Sequence, residues 1–277
     1  MPTVRELGPE DLSQALALVA PRPVEHVAVT ARLRGSRLDP ALLERTALGW
    51  GEGRTVAALL YRGPSLMPVG SDPEAWTAFA RRLGAFRQAA SIVGLRDSAM
   101  GLWGSLAERY PLAWGRPRSV RACQPILALD HDPAGPVDPR VREIGPAWLD
   151  SYHAASVAMY TEEIGLSPVE LSGSYRHHIQ SLLSRGLGFG LIEDDQVVFK
   201  TDVSVHSGPV CQLGGVWLRP DQRGRGLSAP ALAAVIRLCR QRWPIVSLYV
   251  NDYNRRALAL YHRLGFEPVS QAATILF

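Results

Sequence analysis

Six residues recur in this chain at an offset of 137, and that repeat limits the fold more than any other feature. Val4-Arg5-Glu6-Leu7-Gly8-Pro9 returns as Val141-Arg142-Glu143-Ile144-Gly145-Pro146, close to half-way along the 277 residues. Each copy reads as a short strand, a Gly-Pro turn and a helix, over residues 11–20 in the first and 147–160 in the second. The order of later elements also agrees. In the first half, strands are expected at 56–61, 65–69, 90–94 and 120–129, with helices near 74–83 and 98–110. In the second, strands are expected at 188–193, 197–205, 210–218 and 245–250, with helices from about 227 and near 255–264, then terminal strands. Self-similarity on this scale points to two copies of one α/β unit. Between them lies DHDPAGPVDP, residues 130–139, whose Pro, Asp and Gly suit a linker. The expected division is a first domain over 1–130, a linker over 131–139 and a second domain over 140–277. Residues 21–50 carry only a weak pattern.

Composition excludes several partners. Hydrophobic residues make up 47% and the formal net charge is only +4, with no basic run of the length a nucleic-acid-binding tail needs. Of the basic residues only Lys200 is a lysine. No window approaches a membrane span and the N-terminus lacks an apolar signal core, so no membrane partner and a cytoplasmic location are expected. Cys123, Cys211 and Cys239 lack metal-ligand spacing and lie in apolar stretches, which reads as buried thiols and no metal.

The most informative stretch is residues 214–243, GGVWLRPDQRGRGLSAPALAAVIRLCRQRW. A strand ends near Leu218, Pro220 stops its ladder, and Arg223-Gly224-Arg225-Gly226-Leu227-Ser228 leads into a helix. That helix buries Leu232, Val235, Ile236 and Cys239 and turns Arg237, Arg240 and Arg242 to water. Small residues before a helix start let successive backbone N–H groups reach an anion, and two arginines add charge-assisted bonds. The sequence is neither a P-loop nor a dinucleotide fingerprint. Gly214-Gly215 inside a good strand implies a bulge. Such a bulge would part this strand from a parallel neighbour at 245–250 and expose backbone groups to an amide-bearing chain such as pantetheine. Further on, Asn251 ends a strand, Asn254 stands at a helix N-cap, and Ala257, Leu260, Tyr261 and Leu264 form an apolar stripe closed by Gly265.

Arg-x-x-Gly-x-Ser after a strand, followed by Asn and Tyr-x-x-x-Gly-Phe, resembles the GNAT family, the Gcn5-related N-acetyltransferases. The chain is similar to the two-copy bacterial group with an N-terminal domain of unknown function, and in tandem layout to mycothiol synthase. The resemblance is strong over 140–277 and weak over 1–130. It implies a tandem acyl-CoA N-acyltransferase α/β fold, with mixed central sheets flanked by helices. It further implies acetyl-CoA as co-substrate and a primary amine on a small molecule, peptide or protein as acceptor, attacked directly without an acyl-enzyme. Arg223, Gly224, Arg225, Gly226, Leu227 and Ser228 match the pyrophosphate loop, Ser228 standing where Gly or Ala is usual. Trp217 and Leu218 match the pantetheine-binding strand, Asn251 and Asn254 polar positions near the cofactor arm, and Tyr261 the general acid. Cys211 is not a nucleophile in this scheme. In the first copy, Gly70-Ser71-Asp72-Pro73-Glu74 puts two acids where a diphosphate would sit, so that half reads as degenerate.

Glu163 or Glu162, following the first helix of the second copy in MYTEEIGLSP, is the expected general base, acting through water. Glu193 and Asp202 are rivals, His206 a weaker one. Asp194 and Asp195 read as hairpin-turn residues, and His153, His177 and His178 as packing or surface residues. A homodimer is a candidate assembly. Two other readings share these residues: the same fold with a longer acyl donor, and an acyl-CoA-binding regulatory or scaffold protein without turnover.

Overall fold

The computed structural model describes residues 1–42, 47–165 and 174–277. The first half runs β1 (Thr3–Glu6), α1 (Leu12–Val19), α2 (Val27–Ser36), β2 (Leu48–Gly51), β3 (Ala58–Arg62), β4 (Ser65–Val69), α3 (Pro73–Leu83), β5 (Ser91–Leu95), α4 (Arg96–Arg109), α5 (Pro111–Trp114) and β6 (Ser119–Leu129). The second runs β7 (Arg142–Glu143), α6 (Leu149–Ile164), α7 (Ser174–Ser184), β8 (Gly188–Glu193), β9 (Gln196–Ser207), β10 (Val210–Leu218), α8 (Ser228–Arg240), β11 (Ile245–Tyr249), α9 (Arg255–Leu264) and β12 (Glu267–Leu276). This is an α/β fold with mixed sheet flanked by helices. Helix α2 and strand β2 fall in the weakly patterned stretch, and one long strand stands where several terminal strands were expected.

Two compact units form: Met1–Leu127 with Tyr249–Asn254 and Pro268–Phe277, and Ala128–Leu248 with Arg255–Glu267. In the first, the strand order is β1-β2-β3-β4-β5-β12-β6. The C-terminal strand therefore lies in the N-terminal unit, antiparallel to β5 from Ala272↔Leu95 to Leu276↔Ser91. Apolar side chains form two layers there. One is built on Leu48, Trp76, Phe79, Ile92, Leu102 and Trp114, the other on Leu7, Leu33, Leu38, Leu59 and Val69. The second unit orders its strands β7-β8-β9-β10-β11. Beneath β8, Gly188 makes room for Leu182, Leu183 and the fully buried Tyr152.

The repeat is visible in both units. Each opening strand is followed by a single 3-10 turn, Pro9–Asp11 and Pro146–Trp148, and then a helix. Even the contact across the turn recurs with changed chemistry. Arg5 grips buried Asp11 through two bonds of 2.6 and 2.8 Å, while Arg142, its counterpart, stands 5.9 Å over the ring of Trp148.

Three local expectations need correcting. Helix α6 continues to Ile164, because Gly165 in a left-handed conformation (φ 78°) closes it with an N–H bond to Thr161 O of 2.9 Å. Cys123 is partly exposed; only Cys211 and Cys239 are buried. Arg240 is only partly exposed: its Nε and Nη1 are buried, and Nη1 stands 3.6 Å from Asp132 Oδ1.

His26, before α2, is buried, and burial together with the Arg22 charge lowers its pKa to about 4. The unfolded chain then binds a proton between about pH 6.5 and 4 that the folded chain does not. Stability is full above pH 6.5 and falls by up to about 3 kcal/mol as the pH drops to about 4. Thermal melts from pH 7.5 to 4.5 check this: His26→Leu should flatten that part of the acid slope, and parallel slopes would count against it.

Candidate active site

Strands β10 and β11 are parallel and pair at Val210↔Ile245, Cys211↔Val246 and Gln212↔Ser247, where the register ends. Strand β10 runs on to Leu218 against β9. Beyond Ser247 the other chain finds different partners, with Val250 N–H donating to Pro125 O and Asp252 N–H to Cys123 O within the first unit. Among the described residues, the outer part of β10 pairs with β9 and with no other strand.

On its paired edge, β10 carries an irregularity between Gly214 and Trp217 opposite Asp202 and Lys200. Gly215 there has φ 59°, and a Cβ on it would stand 2.8 Å from Lys200 Nζ and 2.9 Å from Met159 Sδ. Glycine is required for two reasons, conformation and room.

Past Leu218 the chain turns through Pro220–Gln222 into the arginine–glycine loop. Gly224 and Gly226 have φ of 79° and 76°, left-handed values that bend the backbone and favour glycine. Among the described residues, the N–H groups of Gly224, Arg225, Gly226 and Leu227 donate to no protein acceptor. Helix α8 starts immediately after, and no side chain caps it. Four idle donors and an uncapped dipole end are the chemistry an anion can satisfy. Arg223 borders it, its Nε bonded to Leu218 O at 2.9 Å; Arg225 Nη1 reaches Gln222 Oε1 at 3.3 Å.

The corresponding turn of the first unit is closed. Asp72 caps α3 by accepting from Glu74 N–H at 2.8 Å, so a carboxylate of the chain itself already occupies that helix end. Strands β4 and β5 pair only at Ser65↔Ser91 and Leu66↔Ile92, but Pro68 lies against Gly94 beyond that point, and Ser98 Oγ bonds Gly70 O at 2.7 Å.

The other expected site residues are dispersed. Trp217 and Leu218 are buried at the end of β10. Glu162 lies in the last turn of α6 rather than after it, and it is engaged: its carboxylate accepts from Trp217 Nε1 at 3.3 Å and pairs with Arg223 at 2.7 Å. Residues 166–173 of the loop expected to border the acceptor lie outside the described residues. Tyr261, on α9, is buried edge-on to Phe266, and burial followed by the Glu163 charge pushes its pKa up to about 12. Asn251 and Asn254 fall in the first unit, where Asn251 Oδ1 accepts from Gln124 Nε2 at 2.9 Å.

Of the rival bases, Glu193 is paired with Arg140 at 2.7 Å, and His206 stacks 5.0 Å from Trp243 with a pKa lowered by burial. Asp194 and Asp195 form the β8–β9 turn, both with positive φ. His153 and His178 lie against the ring of Tyr175. Asp202 is different, because it is buried in an ion pair with Lys200 directly behind the bulge. The signal for Lys200 was present in the sequence: the single lysine of an arginine-rich chain, set in an apolar strand two residues from an aspartate and so on the same face.

No group of three or more His, Cys, Asp or Glu able to hold a metal occurs among the described residues, and no helix among them is long and apolar enough to cross a membrane.

Residues 173–266 match the model of the acetyltransferase (GNAT) family, and residues 46–152 that of a domain of unknown function, DUF4081. No curated protein matches the sequence. Among solved structures the chain is similar to a Drosophila protein at 14% identity and TM-score 0.66, covering 100% of this chain and 99% of that one. It is also similar to a GCN5-related N-acetyltransferase from Sphaerobacter thermophilus at 19% identity and TM-score 0.60, covering 99% and 94%. A tandem GNAT protein from the clavulanic acid biosynthesis pathway aligns at 18% identity and TM-score 0.59, covering 99% and 98%. At these identities the likeness is one of fold. The chain thus has an α/β fold like that of tandem GNAT proteins, with residues 46–152 similar to a domain of unknown function and residues 173–266 similar to the acetyltransferase (GNAT) family.

Proposed function

We propose that this chain is an N-acetyltransferase that moves an acetyl group from acetyl-CoA to a primary amine, using its second domain. The observation that carries this reading is the run of idle backbone N–H groups from Gly224 to Leu227 at the uncapped start of α8. A diphosphate satisfies such a row, with Arg223 and Arg225 adding charge-assisted bonds and Ser228 small enough to admit it. The outer part of β10 beyond Gln212 offers backbone groups at Trp217 and Leu218 to the two amides of a pantetheine arm.

The acceptor amine attacks the thioester carbonyl directly. Backbone N–H donors near the Gly214–Trp217 bulge stabilise the developing oxyanion. Tyr261, with a pKa of about 12, is fully protonated at neutral pH and gives a hydrogen bond to the leaving sulfur. The Glu163 charge favours that protonated form. Glu162 holds Arg223 at the mouth of the anion site. The first domain, with its own carboxylate on the matching helix end, takes no acetyl-CoA.

Thiol release from acetyl-CoA over a panel of primary amines tests the reading, together with calorimetric titration of acetyl-CoA. Binding near one equivalent and amine-dependent thiol release are expected; a protein that fails to bind acetyl-CoA would refute it. Tyr261→Phe should lower kcat about 10-fold, the worth of one charge-assisted hydrogen bond, with acetyl-CoA affinity unchanged. An unaltered kcat would remove Tyr261 from the reaction.

A further inference from the structure

Lys200 is the chain's single lysine and is wholly buried on β9. Its Nζ donates to Asp202 Oδ2 at 3.0 Å and to Ser156 Oγ at 3.3 Å, and stands 5.1 Å from the centre of the Tyr152 ring. As a source of stability such a pair is poor, since apolar residues of similar volume often do as well. Its place is informative. The pair lies against the bulge, where a Cβ on Gly215 would stand 2.8 Å from Nζ and 3.2 Å from Asp202 Oδ2.

Asp202 has one oxygen left over. Oδ2 is taken by Lys200, while Oδ1 receives no hydrogen bond among the described residues and would stand 3.6 Å from a Cβ on Gly214. Two phenols lie within reach of its charge. Tyr152 and Tyr175 both feel the Asp202 charge, and the Tyr175 ring lies 5.8 Å from Tyr160 and 5.9 Å from His153. Ser156 and Met159 complete this face of α6. A carboxylate oxygen without a protein donor, whose charge acts on two phenol rings, is the chemistry that receives an alkylammonium.

We propose that Asp202 receives the acceptor's ammonium group and takes its proton, that Lys200 and Ser156 hold that carboxylate in position, and that the acceptor is a primary amine on an aryl or alkyl carrier. This rests on the transferase reading above and sets Asp202 in place of Glu162 and Glu163 as the base, Glu162 being bound to Arg223. In the step itself, one ammonium proton passes to Asp202 Oδ1 and frees the nitrogen lone pair. The N–C bond forms at the thioester carbonyl and the C–S bond breaks. The second proton of the nitrogen leaves for the thiolate, giving amide and thiol, and Asp202 returns its proton to water.

The test compares wild type, Asp202→Asn and the double variant Lys200→Met/Asp202→Asn, with 2-phenylethylamine as acceptor. Acetyl-CoA affinity, thermal midpoint and acetylation rate are measured for each. Asp202→Asn should lower kcat about 100-fold or more, the scale of a lost general base, with acetyl-CoA affinity unchanged. It should also lower the midpoint by stranding a buried cation; the double variant should restore the midpoint but not the turnover. Turnover that recovers with the midpoint would show a purely structural pair and overturn the proposal, as would an Asp202→Asn enzyme equal to wild type. A wild type that binds acetyl-CoA yet leaves 2-phenylethylamine untouched overturns the acceptor assignment alone. One that binds no acetyl-CoA removes the transferase reading, and this proposal with it.

Discussion

Replacing Arg223 and Arg225 together by alanine is expected to weaken acetyl-CoA binding about 100-fold while leaving the fold intact, each charge-assisted bond contributing at least about 1.5 kcal/mol. Both side chains stand at the mouth of the loop, and what they hold without ligand is slight: Leu218 O and Glu162 for Arg223, Gln222 for Arg225. The Arg223–Glu162 pair is roughly half exposed on both sides, at 45% and 44%, so its loss costs about 1 kcal/mol or less. Titration calorimetry at two ionic strengths measures the effect. Wild-type affinity should fall as salt rises, and the variant should show a smaller dependence, because two of its attracting charges are gone. Equal affinities would mean that the diphosphate lies elsewhere.

Gly215→Ala is expected to destabilise the protein by about 2–4 kcal/mol, combining a left-handed backbone with overpacking, and to lower turnover about 100-fold. At φ 59°, alanine is strained whatever the space around it. Its methyl would also press on Met159 Sδ at 2.9 Å and Lys200 Nζ at 2.8 Å. The thioether can swing aside. The ammonium cannot without leaving Asp202 and Ser156. Gly214→Ala is the control: its φ is not left-handed, and its nearest neighbour is Ser204 Cβ at 3.2 Å, so the cost should stay under about 1 kcal/mol. Urea unfolding and thiol release on both variants decide the matter. Equal losses would mean that the bulge is not held by the buried pair.

Much of the site was written locally. The bulge at Gly214-Gly215, the bent loop at Gly224 and Gly226 and the uncapped start of α8 each depend on what a few adjacent residues can do with their own backbone. The capped turn of the first copy was legible for the same reason, since an aspartate two residues before Glu74 caps its own helix wherever it lies. That Glu162 lies within the last turn of α6 and pairs with Arg223 was not legible, because a helix that outlasts its apolar pattern leaves little mark in sequence and Arg223 lies 61 residues away.

The sequence alone determined the duplicated α/β plan and the position of the arginine–glycine turn, because dihedral preference, helix ends and apolar periodicity act over a few residues. Only the tertiary structure decided that the C-terminal strand joins β5 in the first unit, that β11 abandons β10 after Ser247, and that Lys200 is buried with Asp202 behind the bulge. Strand alternation tells which face is apolar but not which strand lies alongside, and burial of a charge depends on what the rest of the chain stacks over it.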